Sequence, residues 1–181
     1  MLPEFIDVST ADKVLIDASA MNWSKAYLGF YRDDALVDKR LNLEERDVEV
    51  ARLNDKFESY APGFSLRLRA VVADLYGLAD TVVDGFVMSR YTAGSHIRPH
   101  SDTGIRSTSR LVTAVQYFDS GYTGGVLGFP QFGLDYPPNA RDLVLFFSEY
   151  LHSVSQITSG SRHSMICFAK TQAMLRLPTW R

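Results

Sequence analysis

The period of the apolar positions along this chain changes near residue 80. Between Asn42 and Ala61, Leu43, Val48, Val50, Leu53 and Phe57 are spaced loosely among charged residues, which predicts an amphipathic helix with a solvated outer face. Pro62-Gly63 interrupts that pattern. Leu66, Ala70, Val71 and Leu75 then recur at helical spacing, predicting a second helix over Phe64–Tyr76 that ends at Gly77.

From Val82 onward the apolar runs are short, rich in β-branched and aromatic residues, and separated by Gly, Pro, Asn and Ser. They predict strands over Asp84–Tyr91, Ile97–Asp102, Arg110–Phe118, Gly125–Pro130, Asp142–Phe147, His152–Ile157 and Arg162–Lys170. No helical pattern separates them to carry a parallel crossover, so the expected core is an antiparallel sandwich or barrel. The fold class expected is α+β, with N-terminal helices buttressing an all-β core. At 181 residues the chain predicts a single domain. Within it, residues 1–81 form a helical, lid-like supporting segment, 82–170 the β-core and 171–181 a C-terminal tail.

Composition narrows the function. Hydrophobic residues make up 46% and charged residues 22% of the chain, which excludes a disordered protein. Nineteen Lys and Arg against 21 Asp and Glu leave a formal charge of −2, with no basic excess for a phosphate backbone or an anionic membrane. The single cysteine, Cys167, lies in an apolar run and reads as a buried thiol. The first residues show no basic-then-apolar leader and no run reaches membrane-span length, so a soluble, cytoplasmic protein is expected.

Candidate chemistry begins at His100-Ser101-Asp102. On a strand, residues i and i+2 share a face, so the imidazole and the carboxylate would offer two adjacent ligands to a divalent metal. His152 on a later strand supplies a third. Two imidazoles and a carboxylate suit the facial triad of non-haem iron, and with a water they would also satisfy tetrahedral zinc. Arg162 tips the balance toward iron. A guanidinium deep in a barrel is costly without a carboxylate partner, and a dicarboxylate whose other end chelates the metal would supply one.

These residues fall in an ordered set. Arg90-Tyr91 with Gly94, His100-x-Asp102, Arg110-Leu111-Val112-Thr113 running to Tyr117, and Gly124-Gly125 leading to Phe129-Pro130 come first. Pro138 before Leu143–Phe147, His152-x-Val154 and Gly160-x-Arg162 follow. Together the segment from Ser89 to Lys170 resembles the Fe(II)/2-oxoglutarate-dependent dioxygenases of the prolyl 4-hydroxylase-like branch. The resemblance implies a double-stranded β-helix of jelly-roll or cupin-like form, with His100, Asp102 and His152 as catalytic iron ligands. It implies that Arg162 pairs with the distal carboxylate of 2-oxoglutarate, helped by Tyr117, and that Tyr91 lines the same pocket. Fe(II) is then the cofactor, 2-oxoglutarate and O₂ the cosubstrates, and hydroxylation with release of succinate and CO₂ the reaction. Related halogenases carry a small residue where this chain has Asp102, so hydroxylation is expected rather than halogenation. The chain departs from the common Gly-Gly-Glu-Thr pattern at Val126-Leu127, on a strand bordering the substrate.

Arg98 and Arg106 flank the His-x-Asp motif, and either could clamp a substrate carboxylate. With the short N-terminal segment, they favour an amino acid or similar small metabolite as substrate. A prolyl or other residue in a peptide or protein is the alternative, and a non-catalytic cupin-like metal-binding module a distant one. His163 adjoins Arg162 and points to the opposite face of its strand, so it and His96 are left outside the site.

Overall fold

The computed structural model describes residues 1–32, 35–53, 56–103 and 110–171; Arg106 and the tail beyond Thr171 lie outside the described residues. In chain order the elements are α1 (Val8–Ala18), β1 (Ser24–Lys25), β2 (Leu28–Arg32), β3 (Ala35–Arg40), β4 (Arg46–Asp47), β5 (Glu49–Arg52), α2 (Lys56–Tyr60), α3 (Phe64–Tyr76) and β6 (Thr81–Tyr91). The later strands are β7 (His96–His100), β8 (Arg110–Tyr117), β9 (Tyr122–Gly124), β10 (Leu127–Phe129), β11 (Leu134–Tyr136), β12 (Leu143–Phe147), β13 (His152–Val154), β14 (Ile157–Gly160) and β15 (Arg162–Thr171). A major sheet runs β1-β5-β6-β15-β8-β12 and a minor sheet β11-β10-β13-β7-β4, the two faces of a double-stranded β-helix. Two further antiparallel pairs, β2-β3 and β14-β9, complete the described strands.

Strand β15 shows why the sheet has two different faces. Met165, Cys167 and Ala169 alternate with Arg162, Ser164, Ile166 and Phe168. The first set is buried with the helices, and the second lines the cavity between the sheets. Val14 of α1, Phe57 of α2 and Leu68 and Val72 of α3 close over Met88, Val112, Ala114 and Met165 on the outer face. Phe57 is fully buried, edge-on to Phe64 at 4.9 Å and stacked on Phe86 at 5.6 Å. Lys56 and the Tyr60 hydroxyl both reach Asp17, tying α2 to α1.

The helix predicted over Phe64–Tyr76 is present at those bounds, and the helix predicted over Asn42–Ala61 is not. Among the described residues only Lys56–Tyr60 is helical there, and Arg46–Asp47 and Glu49–Arg52 are strands. The physical reason is that Val48 and Val50 also satisfy a period of two. Both face the cavity, whereas Ala51 and Leu53 face the helix-covered core. The exposed edge of β6 takes β5 as its partner, with Glu49 opposite Arg90 and Arg52 opposite Val87. The N-terminal segment thus supplies strands to both sheets besides its helices. A second correction is local: β7 ends at His100, so Asp102 lies past the strand end rather than on it.

Because Phe57 anchors an aromatic cluster with no solvent contact, Phe57→Ala should cost about 3–5 kcal/mol in urea unfolding. An exposed control on the same layer, Leu66→Ala on α3, should cost far less.

Candidate active site

Antiparallel pairing of β7 with β13 sets His100 directly opposite His152, and the two rings lie 4.3 Å apart between centroids. Asp102 is brought to them by tethers rather than by strand geometry. Its N–H donates to the Ser148 carbonyl at 2.9 Å, and its Oδ2 accepts from the Thr113 hydroxyl at 2.8 Å. Thr113 Oγ1 also lies 2.9 Å from Ser148 Oγ; with its only proton on Asp102, the Ser148 hydroxyl is the donor. Asp102 Oδ1 then stands 3.8 Å from His100 Nε2, and Oδ2 stands 3.5 Å from His152 Nε2. The ligating atoms of the three residues all fall within 4.8 Å of one another.

Both imidazoles are held in one tautomer. His100 Nδ1 donates to the Arg98 carbonyl and His152 Nδ1 to the Tyr150 carbonyl, each at 3.0 Å, which leaves both Nε2 lone pairs facing Asp102. Burial first, then the neighbouring His152 and Arg46, pushes His100 down to about 4, so its neutral, metal-ligating form holds through neutral pH. Two imidazole Nε2 atoms and one carboxylate on one side form a donor set that fits a divalent metal and leaves the opposite side open.

A cavity of about 210 Å³ runs from this cluster to Arg162. The Arg162 side chain is 1% exposed, lies 4.0 Å over the Tyr91 ring and 5.4 Å from the Tyr117 ring, and donates from Nη1 to the Gly125 carbonyl at 2.6 Å. Its Nε is buried without a hydrogen-bond partner, and among the described residues no carboxylate pairs with it. The buried carboxylate of Asp142 is occupied by the Tyr136 hydroxyl and the Asn139 N–H. Burial raises the Tyr91 and Tyr117 phenols above their ordinary range, so both remain protonated donors. Gly125, at φ +64°, explains the Gly-Gly motif: a Cβ there would sit 2.5 Å from Ile157 Cδ1 and 3.4 Å from Arg162 Cδ.

The sequence-derived arginines fare differently. Arg98 is exposed, donates to the Glu44 carbonyl at 2.8 Å and does not line the cavity; Arg106 lies outside the described residues. Three polar residues that do line it were not anticipated. Ser164, two residues after Arg162 on the same face of β15, buries an unpartnered Oγ, and that i+2 spacing was the available signal. Arg110 packs 3.8 Å over the Phe168 ring and donates to the Asp102 carbonyl at 3.1 Å. Arg46 on β4 was hidden by the helical reading of its segment. His163 turns away, as expected, and pairs through Nδ1 with Asp119 at 2.6 Å. His96 spans the carbonyls of Gly94 and Glu44 on the outside.

Within the double-stranded β-helix, two histidines and an aspartate converge beside a buried arginine. Residues 86–170 match the family model described as the 2OG-Fe(II) oxygenase superfamily. Solved structures share the fold at low identity. A Pseudomonas putida prolyl-4-hydroxylase is 19% identical with a TM-score of 0.71, covering 94% of this chain and 90% of its own. A Trichoplax adhaerens prolyl hydroxylase, in complex with a hypoxia inducible factor oxygen degradation domain peptide fragment, is 17% identical with a TM-score of 0.76, covering 99% and 86%. The viral collagen prolyl hydroxylase of Paramecium Bursaria Chlorella virus-1, in its 2OG complex, is 15% identical with a TM-score of 0.63, covering 94% and 93%. No curated protein matches the chain in sequence. Over residues 86–170, somewhat under half of the chain, the sequence is similar to the 2OG-Fe(II) oxygenase superfamily, and the His100, Asp102 and His152 cluster is a donor set that fits Fe(II). Among the described residues no helix is long and apolar enough to cross a membrane.

Thr113 is the residue that orients Asp102. Thr113→Val keeps the shape and removes the hydrogen bond, so Mn(II) affinity measured by calorimetry should fall about 10–100-fold with the fold retained.

Proposed function

We propose that the protein hydroxylates an unactivated C–H bond of an amino-acid unit, with His100, Asp102 and His152 holding Fe(II) and Arg162 anchoring 2-oxoglutarate. The observation that carries this reading is the Arg162 guanidinium, 1% exposed and without a carboxylate partner among the described residues, in the cavity that His100, Asp102 and His152 also line. A dicarboxylate bound there supplies the missing acceptor. When bound, iron and 2-oxoglutarate supply the oxidising power, with succinate and CO₂ as coproducts. The chain's own residues bind, orient and exclude water. Arg162 and the Ser164 and Tyr117 hydroxyls face the distal carboxylate, Tyr91 packs against the guanidinium, and Val115, Leu127 and Val154 form dry walls. With a carboxylate ligand at Asp102, no ligand position is given over to halide, and the hydroxylated product is the one this site favours.

For the substrate, the size of the cavity is the guide. At about 210 Å³ it falls below the roughly 300–1,000 Å³ of pockets that enclose a small-molecule ligand, and 2-oxoglutarate takes much of it. The target carbon therefore meets the metal at the mouth, which suits a residue presented by a peptide. A prolyl residue is the first choice, given the prolyl hydroxylases whose fold this chain shares. The free amino acid or small metabolite expected from sequence is the second reading, favoured by the guanidinium of Arg46 at the same cavity.

Two measurements test this. Arg162→Ala should weaken 2-oxoglutarate binding to the Mn(II)-loaded protein by about 2–5 kcal/mol, the loss on stranding a buried charge, and an unchanged affinity would make Arg162 structural. Succinate release should be stimulated by proline-containing peptides in a library run beside free amino acids; stimulation by free amino acids alone would establish the second reading.

A further inference from the structure

Arg46 is unexplained by the metal ligands and by the cosubstrate pocket. It lies on the edge strand β4, where it pairs with Ile97, three residues before His100. Its side chain lines the cavity that contains His100, Asp102 and His152. Its Nε is fully buried without a hydrogen-bond partner, and among the described residues no carboxylate pairs with its guanidinium. Of the carboxylates on its own segment, Asp47 holds Lys25 at 2.5 Å and Glu49 holds Arg90 at 2.9 Å, while Glu44 and Glu45 are exposed and make no ion pair with Arg46 among the described residues. Asp102 is the cavity's own carboxylate, and its oxygens are turned to Thr113 and the two imidazoles.

A buried guanidinium N–H without an acceptor costs stability, because it loses water and gains nothing. Among the described residues no acceptor meets the Arg46 Nε, and a bound ligand would supply one. In the proposed arrangement 2-oxoglutarate has no oxygen to spare for it, since one end goes to Arg162 and the other chelates the metal. Arg46 is also less enclosed than Arg162, being half-buried on an edge strand rather than 1% exposed on a central one. It is therefore the more accessible of the two from solvent.

We propose that Arg46 is a specificity-determining residue whose guanidinium binds the carboxylate or carbonyl oxygen of the substrate beside the carbon to be oxidised. This rests on the proposed function above and names the recognition element of that same site. Arginine suits the task because its planar fork makes two parallel hydrogen bonds to a carboxylate and still donates well to a single carbonyl. The same chemistry serves a free amino acid through its carboxylate and a peptide through its main-chain carbonyl.

The test uses Arg46→Met, which keeps the length of the side chain and removes the charge. Protein loaded with Mn(II) and 2-oxoglutarate is mixed with trifluoroacetate, a carboxylate probe, or N-methyltrifluoroacetamide, a carbonyl probe, and Mn(II)-induced ¹⁹F relaxation is read. In the wild type at least one probe should relax strongly, and in the variant the effect should drop by about tenfold. Relaxation by the amide identifies a peptide carbonyl, and relaxation by the acid alone a free carboxylate. Equal relaxation in both proteins, or none in the wild type, overturns the proposal. Affinity for 2-oxoglutarate should stay within about threefold in the variant, because a tenfold loss would assign Arg46 to the cosubstrate instead. The melting temperature should be unchanged or raised, and a fall beyond about 5 °C would make Arg46 structural. If the wild type itself fails to bind Mn(II) and 2-oxoglutarate, it is the proposed function that falls, and this separates the two failures.

Discussion

One buried cation organises this molecule. Arg162 is held on the central strand of the major sheet, out of contact with water, and its position demands that everything around it be either apolar, hydrogen-bonding or complementary in charge. The Gly125 carbonyl takes one N–H, the Tyr91 ring takes the face of the guanidinium, and the rest of the fork opens into the cavity. Close approach of the Gly124-Gly125 turn is possible only without side chains, so the glycines and the arginine form one device. On the opposite face of the same strand Met165, Cys167 and Ala169 pack under the helices, which lets the hydrophobic layer carry the stability that the polar face forgoes.

The proposed metal ligands are positioned by three different means. His100 and His152 are opposite partners in a strand ladder, so their separation follows from backbone hydrogen bonding. Asp102 is carried past the strand end and fixed by its own N–H and by the Thr113 and Ser148 hydroxyls. Each imidazole is then oriented by a carbonyl two residues upstream, at Arg98 or Tyr150. A site built this way is rigid before anything binds, which favours metal capture over rearrangement.

Positive charge inside the cavity is distributed with a purpose. Arg162 closes one end, Arg110 is pinned between the Asp102 carbonyl and the Phe168 ring, and Arg46 stands on the edge strand beside His100. Three guanidiniums around one carboxylate leave the cavity short of negative charge, although the whole chain carries a formal charge of −2. An interior so biased favours anionic and carbonyl-bearing ligands by its local field, a property that net charge does not reveal.

Period and motif order in the sequence were enough for the α+β class, the helix over Phe64–Tyr76, the antiparallel core and the set His100, Asp102, His152 and Arg162. Each of these depends on local alternation or on residue types whose burial has a single chemical excuse. The contribution of residues 42–53 was not legible, because charged strands at a sheet edge and a solvated helix place apolar residues at overlapping spacings. What decides between them is the unpaired edge of β6, a partner more than thirty residues away in sequence. Arg46 and Arg98 illustrate the same limit: Arg98 adjoins the His-x-Asp motif and Arg46 is far from it in sequence, yet tertiary pairing of β4 with β7 turns Arg46 into the cavity and leaves Arg98 outside it. Local sequence therefore determined which chemistry this protein carries, and the long-range strand pairings decided which cations face it.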